Sequence, residues 1–179
     1  MKYLLWFALL VAPSLASGQP LKLDSLDKLA AKASNTVRVT LNGGMLRLAA
    51  KFLSDDDSDE AQIKDLVKGL KGIYVRSYEF SQTGQYLDSD VEAIRSQLKN
   101  SAWNAIVEVR SNEAHGENTE VYAKEQEDHF AGLAILVAEP KELTVVHIDG
   151  VINLDGLSKL SGKFGIPGDI GSKVDKKQK

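Results

Sequence analysis

No cysteine occurs anywhere in the 179-residue chain. That excludes disulfides, so an exported domain made from this sequence must rest on its hydrophobic core. It also excludes a thiol nucleophile, a thiolate metal site and a lipid attached through cysteine at a cleavage site. Histidine is nearly as scarce, and His115, His129 and His147 lack the spacing that sets two zinc ligands on one helix face. No G-x-S-x-G elbow, P-loop or dinucleotide-binding glycine motif is present. Acidic residues outnumber basic ones, 25 to 22, so no general positive charge draws in nucleic acid or anionic lipid.

What is present begins with an export signal. Met1-Lys2 is a short positive end, Tyr3 to Ala12 is uninterruptedly apolar, and Pro13-Ser14 breaks the run before Ala16-Ser17-Gly18. Small residues at Ala16 and Gly18 set a cut before Gln19, which completes the three parts of a secretory signal peptide. The apolar run is too short to span a bilayer, so an uncleaved anchor is the weaker alternative, and no later run approaches membrane-spanning length. The expected organisation is residues 1–18 as signal peptide, 19–170 as one α+β domain and 171–179 as a disordered basic tail. A periplasmic or secreted protein follows, with no stable membrane anchor once the signal is removed.

The clearest fold signal is late in the chain. Phe130 to Ala138 is apolar on both faces, Glu139-Pro140-Lys141-Glu142 interrupts it, and Leu143 to Asn153 resumes a β-branched run. This predicts a hairpin whose first strand is central and covered by something helical. Earlier, Leu26, Leu29, Ala30 and Ala33 predict a short amphipathic helix, and Met45, Leu48, Ala49 and Phe52 predict a second, its stripe widened by Leu46 and Leu53. Thr36 to Leu41 between them reads as a strand on propensity or as part of a helix on context. Ile63, Leu66, Val67 and Leu70 mark a third helix, and Val91, Ile94 and Leu98 a fourth with Asp155 able to cap a last one. Strands are expected at Ile73–Phe80, Ala105–Arg110 and Thr119–Lys124. The sum is an α+β fold: a mixed, mostly antiparallel sheet of about five strands, helices on one face, and an N-terminal helical region. The helix at 89–99 is expected to carry a right-handed crossover that leaves its flanking strands parallel.

Few residues invite a chemical reading. Asp55, Asp57 and Asp59 match the first alternating ligands of a calcium loop, but Glu60 replaces its glycine and Leu66 its final glutamate. The acidic run is better used as a helix start, with Asp57 capping and Glu60 as its capping-box partner, and a weak cation site is the alternative. Glu113 and Glu117 flank His115 in an expected loop. A paired-carboxylate site is neither excluded nor indicated. Tyr74, Arg76 and Tyr78 alternate with Ile73 and Val75; if the latter face the helices, the former make an amphipathic surface of the kind enriched at protein interfaces. No catalytic residue, cofactor or metal site is assigned.

The stretch from Leu46 to Phe52, the segment Leu70-Lys-Gly-Ile-Tyr-Val-Arg-Ser-Tyr-Glu-Phe80 and the run from Leu133 to Leu154 together resemble exported bacterial proteins of domain-of-unknown-function family 4252. The resemblance spans about Leu23 to Gly165 and rests on core and turn residues. It implies no activity and no site. Lipoprotein-like members are frequent in that family, and this chain departs from them in having no lipobox cysteine. The resulting expectation is a non-catalytic envelope or secreted protein that binds a protein or small ligand through an exposed sheet face. An exported hydrolase with a motif-free site is the alternative.

Overall fold

The computed structural model describes residues 20–112, 116–126 and 129–152. A 3₁₀ helix, Asp24–Ala31, leads into strand β1, Asn35–Asn42, and two α-helices, α1 Gly43–Ala50 and α2 Ser58–Lys68. Strand β2, Leu70–Glu79, and helix α3, Asp88–Leu98, follow. The chain then makes four more strands, β3 Asn104–Arg110, β4 Asn118–Gln126, β5 His129–Glu139 and β6 Glu142–Ile152. The α+β class, the antiparallel sheet and the N-terminal helical segment are therefore as expected. The expected last helix and basic tail lie outside the described residues.

The sheet has six strands in the order β1-β2-β6-β5-β4-β3, and every pairing among the described strands is antiparallel. The sixth strand is Asn35–Asn42, rich in β-branched residues, which pairs with β2 from Asn35↔Glu79 to Asn42↔Gly72. The expected parallel crossover is corrected. Helix α3 carries the chain from β2 to the far edge of the sheet, and successive hairpins bring it back until β6 pairs with β2. Short loops after β3 permit only antiparallel neighbours, so the last strand, not the next one, fills the place beside β2.

Helices lie on both faces, not one. On the first face Leu23, Leu26 and Leu29 pack in one core with Val91, Ile94 and Leu98 of α3 over Tyr78, Tyr122, Leu136 and Val145. Their three-residue spacing explains why the first element is 3₁₀ rather than α: at three residues per turn these leucines align on one side, and Ala30 points outward. Burying each of the three contributes about 2 kcal/mol. On the second face Leu46 of α1 joins Leu70, Leu133 and Ile152, with Val67 of α2 packed against them.

The helical stripe expected on α1 is also turned around. Leu46 and Ala50 are buried, while Met45, Leu48 and Phe52 stand 48, 57 and 82% exposed. The apolar residues of this segment surround the helix, and docking at the end of β1 chose the narrower pair. The central hairpin is as expected: Leu133, Ala134 and Leu136 are buried in β5, with Pro140-Lys141 at the turn. Near the end of β6, Gly150 adopts φ +123°, and a Cβ there would meet Gly69 O at 2.5 Å. Only glycine lets β6 pass the junction of α2 and β2 so closely.

Candidate functional site

Tyr74, Arg76 and Tyr78 do alternate with Ile73 and Val75, but they face the first core instead of solvent. Tyr78 is fully buried and Arg76 is 7% exposed. The 3₁₀ helix covers them, because its Asp27 supplies the acceptor that a buried guanidinium requires. Arg76 Nε donates to Asp27 Oδ1 at 3.2 Å, and its Nη1 donates to Val75 O at 2.9 Å and Val39 O at 3.2 Å. Arg38 of β1 reaches the same Asp27 oxygen at 2.8 Å. The Tyr78 hydroxyl has no hydrogen-bond partner among the described residues, and burial, then the nearby Asp27 carboxylate, pushes its pKa up. Arg76 thus fastens the N-terminal helix to the sheet. The expectation of an exposed face there is corrected.

His147 of β6 lies beside them. It is 2% exposed, stacked on Tyr74 with ring centres 5.6 Å apart and met edge-on by Trp103 at 5.8 Å. Leu21 N–H donates to its Nδ1 at 3.4 Å. Burial holds its pKa down at about 4, against a small opposing pull from Asp149. His129 is exposed at the start of β5, and His115 falls outside the described residues.

Among the described residues two carboxylates are buried, and both are committed. Glu120 accepts from Arg95 Nε at 2.9 and 3.0 Å and from the Tyr122 hydroxyl at 2.5 Å. Burial pushes its pKa up, but Arg95 and Tyr122 pull harder and leave it lowered. Asp90 accepts from Leu87 N–H at 2.9 Å and pairs with Lys28 at 2.7 Å, tying α3 to the 3₁₀ helix. Burial opposes its charge too, and the Lys28 and Leu87 donors still lower its pKa. Carboxylates held ionised in this way serve poorly as general acids. Glu139 differs: burial first, then Glu142 and Glu117, raises its pKa at the β5–β6 turn.

The acidic run begins α2 with Asp57 as the expected cap, while Glu60, expected as its capping-box partner, is turned elsewhere. Asp57 Oδ1 accepts from Asp59 N–H at 2.8 Å and from Glu60 N–H at 3.0 Å. Glu60 turns to Ser54 N–H at 2.6 Å, and Asp55 pairs with Lys64 at 2.8 Å. Among the described residues no three metal-ligating side chains are grouped to hold a metal ion.

The second face offers what the first does not. The register aligns Val37, Ser77, Thr144, Val137, Thr119 and Val109 in one row across all six strands. No member of this row is buried, and Val37 and Val109 at its ends are 45 and 44% exposed. The adjoining row contributes half-buried Val39, Val75, Val146 and Ile135, then passes into the second core at Val121, which is buried. None of these residues carries a charge. Five strand spacings make the surface about 24 Å wide. Sequence reasoning passed over it because each strand contributes only one or two Val or Thr residues. The signal was the Val-x-Val pairs Val37/Val39 and Val107/Val109 at what prove to be the sheet's two edges.

No helix among the described residues is long and apolar enough to cross a membrane. A family model described as a domain of unknown function, DUF4252, matches residues 30–160, a span that takes in all six strands. No curated protein and no solved structure matches the chain.

Proposed function

The chain belongs to the DUF4252 family, and from that premise we propose that it is an exported, non-catalytic protein that binds another protein through the open rows of the second sheet face. Export rests on the positive end, apolar run and small-residue cut of residues 1–18. Binding rests on one observation: an uncharged surface spanning six strands, from Val37 to Val109, in which no side chain is buried. Exposed apolar surface of this kind marks interaction sites. An open sheet surface suits the broad contact of a protein partner, whereas small ligands are held in concave sites that bury most of their area.

The test is recovery of a partner from the envelope fraction with the mature chain as bait. Val109→Lys together with Val137→Lys charges the row and should lower recovery about tenfold, the effect of losing one buried anchor. Met45→Lys on α1 serves as a control and should leave recovery unchanged. Equal recovery with the doubly charged row would remove the second face as the binding surface.

A further inference from the structure

The two edges of the sheet are built differently. Strand β3 carries a register irregularity between Ala105 and Val107, and Glu108 pairs with Arg110 along its exposed side. Bulges and charges are the usual means by which an edge strand refuses a neighbour. Strand β1 has neither means. Its eight residues pair with β2 without a break, it contains no proline, and its one charge, Arg38, is bound to Asp27. Thr36, Val37, Arg38 and Thr40 are all exposed. An unbroken and nearly neutral edge is a template for a further strand.

We infer that β1 pairs antiparallel with β1 of a second copy of this chain, about a twofold axis through Val39, to give one twelve-stranded sheet. The sequence of the edge selects this register. With the axis at Val39, Val39 meets Val39, Val37 meets Leu41, Arg38 meets Thr40 and Thr36 meets Asn42. Apolar side chains then oppose apolar ones on the second face, polar oppose polar on the first, and no like charges meet. Moving the axis one residue back sets Arg38 against Arg38, which opposes pairing. Moving it two residues back, to Val37, shortens the paired length. A twofold contact of this kind is self-complementary and closed. It also joins the open rows of both copies on one side of the sheet. The inference stands apart from the partner reading, since it depends on the strand edge and not on the Val109 and Val137 surface.

The absence of cysteine makes the test direct. In the full mature chain, Val39→Cys places two thiols at directly opposed positions, with Cα atoms about 5 Å apart, within disulfide range. Mild oxidation should give a disulfide-linked dimer in at least about tenfold higher yield than Val107→Cys on the other edge, where the opposed geometry is missing. Equal yields, or no dimer from Val39→Cys in a folded chain, would overturn the inference. Sedimentation of the unsubstituted chain supplies a check free of any folding defect. A monomer–dimer equilibrium that Thr36→Pro shifts toward monomer supports the β1 edge, and a strict monomer at millimolar concentration rejects it.

Discussion

Arg76, Asp90, Glu120 and His147, the buried polar residues among those described, all lie on or against the first face of the sheet, whereas the second face is mainly aliphatic, with Glu79, Glu142 and Glu139 in a row at one end, and is covered only in part. The buried polar groups therefore collect on the face that the 3₁₀ helix and α3 cover. The first face can be closed because each of its buried charges has a partner supplied by a covering helix: Asp27 for Arg76, Lys28 for Asp90, Arg95 for Glu120. Such pairs add little net stability over apolar packing, but removing one member is costly, so they fix which helix sits where. The second face needs no such matching, and α1 and α2 cover only the end next to β1's exit. Amphipathic residues on a strand therefore do not announce a surface.

The largest test of that contrast is Glu120→Ala, which leaves Arg95 and Tyr122 without their shared acceptor. It should cost about 4 kcal/mol in chemical denaturation; a loss below about 1 kcal/mol would mean that the first face is held by apolar packing alone. Next comes pH. His147 has a folded pKa of about 4, below its unfolded value of about 6.5. The unfolded chain therefore takes up a proton first as pH falls. Stability should be full above pH 6.5 and decline by about 3 kcal/mol as pH drops to 4. Asp90 and Glu120, whose folded pKa values are lowered, add further loss only below their ordinary carboxylate range. Denaturation of His147→Phe across pH 7 to 4.5 should show a flatter profile; an unchanged slope would place the sensitivity elsewhere. A smaller effect of opposite sign is expected for Tyr78→Phe. It removes a buried hydroxyl without a partner and should leave stability unchanged or raise it by up to about 1 kcal/mol. Smallest of all, Val37→Lys on the second face should move stability by no more than about 0.5 kcal/mol, as exposed sites generally do. A large loss there would show the second face to be as closed as the first.

Much of the fold was legible in local pattern. The β5–β6 hairpin is written in two β-branched runs around Pro140, α3 in Val91, Ile94 and Leu98, and the start of α2 in Asp57. What was not legible depends on distant residues. Alternation showed that Tyr74, Arg76 and Tyr78 share a face, but only Asp27, 49 residues before Arg76, decides that this face is buried. Periodicity offered several apolar sides of α1, and the end of the sheet selected Leu46 and Ala50. The open rows could not be seen strand by strand, because a row across a sheet exists only after register is set.

The place of β6 has one further consequence, for the order of events when the chain folds. Its pairing with β2 spans from Glu79 to Glu142 and from Leu70 to Gly150, and it is the last of the six strands to be made. Until then β2 has β1 on one side and a vacancy on the other, and neither core can close. Contacts between such distant segments make folding slow, since a long loop must be drawn together before any reward is gained. The polypeptide is therefore committed to its fold only when its final strand arrives.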